Sequence, residues 1–244
     1  MQVDNFVAHR GWRQHYPENT LRALREAIAA GAVNIELDVQ LSADGEAFIF
    51  HDPTLARLCD REGLIWDYPA ASLVTFSAHE PCRLGEQFSG TPLSPLRELA
   101  PLLQVHPNVD AYVELKGESL MQFGSAAMLE ATFNALTGIE SRCVLISFEL
   151  GALLDAKARG WQRCGAVFDY WPDWQLASLA ELAPEVVFID RHCIPVEADL
   201  RQLPFPLVVY EVGSLLEAQD WLARGAAGIE TFLIGELLKE AKLV

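Results

Sequence analysis

Leu207-Val208-Val209-Tyr210-Glu211-Val212 is a short β-rich run, and Ser214 to Arg224 follows it with Leu215, Leu216, Ala218, Trp221 and Leu222 at helical spacing. Past Gly225 comes a second β-rich run, Ala227-Gly228-Ile229-Glu230-Thr231. The apolar period changes from about 2 residues to about 3.6 and back, which reads as strand, helix, strand. Gly225 stands where a helix stop is expected.

Working outward, the same alternation fills the chain. Strands read at Phe6–Ala8, Asn34–Gln40, Ala111–Lys116, Cys143–Phe148, Cys164–Phe168 and Val186–Asp190, with helical patterns between them. Thr20 to Ala30 is a helix capped by Asn19 or Thr20 and ended by Gly31; Gly160 is another stop. Strands joined through helices run parallel, because parallel pairing needs a crossover. Eight is the number that closes a barrel, and a length of 244 residues suits a chain class of about 250. The expected fold is therefore α/β, a (β/α)₈ TIM barrel forming one domain over residues 1–244, with a doubly wound open sheet as the competing architecture.

One segment breaks the rhythm. Residues 41–93 lie between the second strand and its helix, which is expected from Pro95 to Val105. Asp44-Gly45 is a hairpin signal, and Ala47–His51 reads as the returning strand. The remainder is rich in Gly, Pro, Ser and aromatics, and reads as an insertion roofing the C-terminal end of the barrel. Its aromatics Trp66, Tyr68, Phe76 and Phe88 read as a pocket wall or as the insertion's own small core, with the second reading favoured.

Composition excludes several function classes. The formal net charge is −16, which argues against nucleic acid or an anionic membrane as a partner. Any anionic substrate must be attracted locally, by a metal and a few basic side chains. The five cysteines, Cys59, Cys82, Cys143, Cys164 and Cys193, show no C-x-x-C spacing and read as reduced thiols of a cytoplasmic protein. The first residues leave no room for a signal peptide, and no run approaches the about 18 apolar residues of a membrane span.

Barrel enzymes take their catalytic groups from the C-terminal ends of strands. In Ile35-Glu36-Leu37-Asp38-Val39, alternate residues share a face. Ile35, Leu37 and Val39 then point to the helices, and Glu36 and Asp38 point together into the barrel. Two buried carboxylates repel unless a cation or proton lies between them. The same parity pairs Glu114 with Lys116. An oxygen-rich site of Glu36, Asp38 and Glu114 suits one divalent cation, Mg²⁺ or Ca²⁺ with Mn²⁺ as a further option, better than zinc. A turn at Asp44-Gly45 puts His51 opposite Asp38, and a turn at Ala43-Asp44 puts it opposite Glu36. His9 ends the neighbouring first strand, so the two histidines are candidates for general acid and base. Arg10 and Lys116 suit a phosphate, the first through its planar fork and the second as a point charge. The bland readings are a core histidine, a salt-bridged strand end for Glu36-x-Asp38, and a simple ion pair for Glu114-x-Lys116. Their joint position at strand ends weighs against those readings.

His9-Arg10-Gly11, Pro17-Glu18-Asn19-Thr20, Glu36-x-Asp38-Val39, Asp44-Gly45, His51-Asp52 and Glu114-x-Lys116, with Ser147-Phe148, resemble in order and spacing the glycerophosphodiester phosphodiesterase family. The resemblance covers about the first half of the chain. It implies a barrel enzyme that hydrolyses glycerophosphodiesters to glycerol 3-phosphate and an alcohol, using Mg²⁺ or Ca²⁺. By motif it makes His9 and His51 the acid–base pair, Glu36, Asp38 and Glu114 the metal ligands, and Arg10 and Lys116 the phosphate binders. It also implies a route in which the glycerol hydroxyl attacks first and water then opens a cyclic phosphate. Glu18 and Asn19 lie near the family's site, although Asn19 reads equally as a helix cap; Asp52 reads as an orienter of His51 or as the start of a loop.

The chain departs from the family in two places. Tyr210-Glu211-Val212-Gly213 stands for a Trp-x-Val-Asn-like segment, and Glu230-Thr231-Phe232-Leu233 for Thr-Asp-x-Pro. Tyr210 reads as a glycerol contact or as packing. His15, His79, His106 and His192 match no motif and read as surface or loop residues. The competing functions are a lysophospholipase D or a cyclising phospholipase D acting on a lipid phosphodiester, and a non-catalytic barrel that binds phosphodiesters.

Overall fold

The computed structural model describes residues 1–244. Its strands are β1 (Phe6–Ala8), β2 (Asn34–Leu41), β3 (Ala47–Ile49), β4 (Ser94–Pro95), β5 (Asp110–Leu115), β6 (Cys143–Ser147), β7 (Cys164–Phe168), β8 (Val186–Asp190), β9 (Leu207–Tyr210) and β10 (Gly228–Thr231). Eight of them pair in parallel in the order β1, β2, β5, β6, β7, β8, β9, β10, and β10 returns to β1 through Phe6↔Ile229. The sheet is a closed (β/α)₈ barrel, not an open doubly wound sheet.

Strand parity separates two apolar regions. Phe6, Ala8, Ile35, Leu37, Val39, Val113 and Leu115 point outward and join a buried cluster of 46 residues with the surrounding helices. Val7, Ile146, Val167, Phe188 and others point inward, in a cluster of only seven residues. Most apolar burial, and so most hydrophobic stabilisation, therefore lies between strands and helices. The upper barrel interior is left for polar groups.

The first helix spans Leu21–Ala29. Its cap is Thr20, whose hydroxyl oxygen accepts from the Ala23 amide at 3.1 Å; Asn19 faces the barrel instead. Gly31 follows the helix at φ 103°, a left-handed stop. Not every crossover is an α-helix. β8 and β9 are joined by 3₁₀ turns at Arg191–Cys193 and Leu200–Gln202. The helix expected from Pro95 to Val105 is shorter: Ser94–Pro95 pairs with β3, a 3₁₀ turn follows at Leu96–Glu98, and the α-helix runs Leu99–Gln104. Pairing of Ser94–Pro95 with β3 holds Pro95 extended, a strand-edge position that tolerates its missing amide proton.

The hairpin after β2 follows neither simple register. Val39 pairs with Ile49 and Leu41 with Ala47, which leaves a longer connection around Asp44-Gly45 than a two-residue turn. The Ser42 hydroxyl accepts from the Glu46 amide at 2.9 Å and donates to the Asp44 carboxylate at 2.6 Å, which accounts for that turn. β3 then ends at Ile49, and His51 lies in irregular chain beyond it. The insertion carries its own buried cluster with Phe48, Phe50, Leu55, Leu58, Phe76 and others, against which Trp66 and Tyr68 pack. Phe88 is the exception among the expected aromatics, since its ring packs on Tyr16 and Arg22 of the segment after β1. No helix is long and apolar enough to cross a membrane.

Gly11, directly after two site residues, has φ 78°, and a Cβ there would meet the Ala23 carbonyl carbon at 2.6 Å. The turn that brings Arg10 into the barrel thus needs glycine for both conformation and space. Gly11→Ala is expected to destabilise the protein by about 1–3 kcal/mol, read as a lower urea midpoint with an unchanged m-value.

Candidate active site

A cavity of about 140 Å³ opens at the C-terminal end of the barrel, with His9, Arg10, Glu36, His51, Glu114 and Lys116 in its wall. A larger cleft of about 640 Å³ surrounds Trp161 and Arg163 at the other end. It holds one carboxylate and no histidine, so the chemistry concentrates in the smaller cavity.

Two adjacent strands, β2 and β5, supply the three acids. β2 lies between β1 and β5, and Asp38 pairs in register with Glu114. Glu36, Asp38 and Glu114 present oxygens within 4.8 Å of one another, and all three are buried. Burial and the charge of Asp38 hold the Glu36 carboxyl well above its usual range. Burial and Asp38 likewise raise Glu114. Asp38 behaves oppositely: burial pushes it up, but Arg10 and Lys116 outweigh that and hold it below the usual range.

The two cations are equally constrained. Arg10 Nε lies 3.1 Å from Asp38 Oδ2, and Arg10 Nη1 donates to Glu18 Oε1 at 2.9 Å. The Arg10 amide donates to Glu36 Oε2 at 3.0 Å. Lys116 Nζ donates to Glu114 Oε1 at 2.8 Å and lies 3.5 Å from Asp38 Oδ1. Burial disfavours the ammonium, but Asp38 and Glu114 outweigh it and keep Lys116 charged. The Glu114–Lys116 ion pair is real, and it borders the acidic cluster without neutralising it. Asn19 donates to Asp38 Oδ2 at 2.7 Å and accepts from the Asp38 amide at 3.1 Å, so it holds that carboxylate.

The histidines come from different elements, His9 just after β1 and His51 beyond β3. His9 stacks on Phe232 with ring centroids 4.5 Å apart. Its Nε2 is 3.8 Å from Glu36, and its Nδ1 is 3.7 Å from both Glu211 and Glu230. Burial, then Arg10, lowers its pKa well below the usual histidine value, so the ring is neutral near pH 7. His51 Nδ1 is 2.7 Å from Asp52 Oδ1, and Gln40 Nε2 donates to the His51 carbonyl at 2.9 Å. That backbone bond secures His51 where the ladder has ended.

The site contains groups that the motifs did not single out. Glu230 is 3% exposed, and burial with Glu114 raises its carboxyl well above the usual range. Its parity was readable: Ile229 faces the outer core, so Glu230 faces inward at a strand end. Arg57 and Glu80 of the insertion had no such signal, since Arg57 sits in a single helical turn and Glu80 just before another, and the placement of both depends on tertiary packing. Tyr210 donates its hydroxyl to the Phe168 carbonyl at 2.9 Å while its ring borders the cavity. His15, His79, His106 and His192 lie outside the cavity.

Solved structures share this architecture closely. A phosphodiesterase of Oleispira antarctica, determined with its product sn-glycerol 3-phosphate, superposes with a TM-score of 0.86 at 23% identity over 99% of this chain and all of the other. Glycerophosphodiester phosphodiesterase of Agrobacterium tumefaciens gives 0.77 at 23% identity over 98% and 100%. At those identities the likeness concerns the fold. Residues 9–159 match the model of the glycerophosphoryl diester phosphodiesterase family, and the chain belongs to that family. Within it, glycerophosphodiester phosphodiesterases of Caldanaerobacter subterraneus and Bacillus altitudinis are 31% and 32% identical over 151 residues. That segment is 62% of this chain and 60% of each relative.

The raised carboxyls lead to a pH prediction. Glu36, Glu114 and Glu230 hold protons more tightly folded than unfolded, so without metal their ionisation opposes folding, and stability is lost as pH rises through their raised pKa values. A bound divalent cation would require and compensate the ionised forms. The rise in melting temperature on adding Mn²⁺ or Mg²⁺ should therefore be small near pH 5 and grow towards pH 8 by scanning fluorimetry. An increment independent of pH would remove Glu36 and Glu114 from the metal site.

Proposed function

We propose that the protein hydrolyses glycerophosphodiesters to glycerol 3-phosphate and an alcohol, with a divalent cation held by Glu36, Asp38 and Glu114. The carrying observation is an electrostatic imbalance. Four buried carboxylates, those three and Glu230, face only Arg10 and Lys116, and Glu36 Oε1 and Glu230 Oε1 have no hydrogen-bond partner. Unpartnered buried carboxylate oxygens are costly, and an all-oxygen donor set fits Mg²⁺ or Ca²⁺, with Mn²⁺ as a substitute. Family membership and a fold neighbour holding sn-glycerol 3-phosphate support the same substrate class.

Glu36, Asp38 and Glu114 would hold the cation, which when bound would offset the developing charge on the phosphoryl oxygens. Arg10 and Lys116, beside the same carboxylates, orient the phosphodiester by fork and by point charge. His9, neutral through burial, is the general base and takes the proton of the attacking hydroxyl. His51, with Asp52 on Nδ1, presents its other nitrogen to the leaving alcohol and donates the proton. The attacking hydroxyl is that of the glycerol carbon beside the ester. Its oxygen bonds to phosphorus as the bond to the leaving alcohol breaks, giving a cyclic phosphate. Water then opens the ring with the histidine roles exchanged. Glu18 and Asn19 hold Arg10 and Asp38 in place throughout.

Metal-stripped protein given glycerophosphocholine should release glycerol 3-phosphate only after Mg²⁺, Ca²⁺ or Mn²⁺ is added, in a coupled dehydrogenase assay. His51→Ala and His9→Ala should each lower kcat by about 10²–10⁴, and Glu36→Gln should abolish the response to metal. Turnover of lysophosphatidylcholine with none of glycerophosphocholine would replace this substrate class with a lipid one. A phosphorus NMR time course of the His51→Ala variant, which lacks the base that activates water, should reveal the cyclic species; direct transfer from ¹⁸O-water without it, in wild type and variants alike, would eliminate the two-step route.

A further inference from the structure

Arg57 does not line the cavity, yet it joins both sides of it. Its guanidinium meets Asp52 two-pronged, Nε to Oδ2 at 2.7 Å and Nη2 to Oδ1 at 2.8 Å. The same Nη2 donates to Glu18 Oε1 at 2.8 Å. Each carboxylate serves a different part of the site. Asp52 Oδ1 is the oxygen that meets His51 Nδ1. Glu18 is fully buried, and Oε1 is the oxygen that receives Arg10 Nη1. Chains of charge-assisted hydrogen bonds thus run from the acid–base side to the phosphate side, with one planar fork at the junction.

The surroundings fix that fork. Arg57 Nη1 lies 3.6 Å from Glu80, which is buried and paired with Arg83 Nη2 at 2.6 Å. Arg83 also donates to the carbonyls of Arg13, Gln14 and Tyr16 in the segment after β1. The insertion and that segment are therefore bound together by ion pairs and backbone contacts at one seam. Lysine would carry the charge but could not span Asp52 and Glu18 with parallel donors.

We infer that Arg57 is a positioning residue, through which the insertion sets His51 for proton transfer and Arg10 for the phosphate. The inference rests on the proposed phosphodiester hydrolysis, in which those two side chains act. Through Asp52, Arg57 holds the Nδ1 proton of His51, so that the second nitrogen faces the substrate, gives its proton to the leaving alcohol and, once the ring is neutral, accepts one from water. Partners of this kind, one step removed from a reacting group, typically contribute about 10–100-fold.

The test compares wild type with Arg57→Met and Arg57→Lys, using imidazole ¹⁵N NMR, steady-state kinetics on glycerophosphocholine with Mn²⁺, and melting curves. The expected result is a wild-type His51 protonated on Nδ1 when neutral, a mixture of tautomers in Arg57→Met, and a fall in its kcat of about 10–100-fold with a smaller change in KM. Added guanidinium should restore part of the rate to Arg57→Met, and Arg57→Lys should lie between the two. An unchanged tautomer in a folded variant overturns the inference, whether the rate is kept or is lost together with melting temperature. Should Arg57→Met fail to fold, Arg57→Lys carries the same tautomer comparison. A wild type that turns over no phosphodiester would sink the proposed reaction, whereas the tautomer readout would still decide the positioning role.

Discussion

The structure depends on holding several carboxylates inside one end of a closed barrel. Charges removed from water are tolerated only when opposite charges or hydrogen-bond donors replace the lost solvent. Every element at that end answers this demand. β1 delivers Arg10 and its amide, β2 delivers Glu36 and Asp38, and β5 brings Glu114 into register with Asp38 and is followed by Lys116. The pleat keeps this arrangement compatible with folding. Residues alternating with the acids belong to the 46-residue layer beneath the helices, so the polar end can stay incompletely paired without weakening the core.

The insertion solves a second problem, which is to place an imidazole beside those acids without adding another barrel strand. It begins as a hairpin on β2, and its register is set by the Ser42 turn. The ladder then stops, and Gln40 secures the His51 backbone. Because the insertion has its own apolar cluster, it behaves as a small unit clamped to the barrel by ion pairs around Arg57, Glu80 and Arg83. Polar seams of this kind need precise partners, whereas apolar packing tolerates substitution.

The far wall is built from β7 to β10, beyond the segment that matches the family model. There Glu211, Glu230 and Phe232 surround His9 and Tyr210 lines the same cavity, and all four occupy the stretches where the sequence departs from the family pattern. The motifs that match the family pattern and the stretches that depart from it thus meet at one histidine ring. Its stacking on Phe232 and the two nearby carboxylates distinguish this half of the cavity.

The sequence by itself determined the alternation of strands and helices and the facing of Glu36, Asp38 and Glu114, because pleat and helix periods are local and the apolar residues follow them. It also placed the insertion, since Gly, Pro and Asp-Gly interrupt those periods. Only the tertiary structure decided the closure of β10 onto β1, Thr20 as the cap with Asn19 turned to Asp38, the hairpin register, and the 3₁₀ connection between β8 and β9. It alone brought Arg57 between Asp52 and Glu18, residues 39 positions apart in the case of Glu18. These outcomes depend on which distant groups can share a hydrogen bond or a buried charge, and no local pattern encodes that competition. Glu230 falls between the two cases: its inward facing follows from the parity of its strand, whereas its nearness to His9 required the barrel to close.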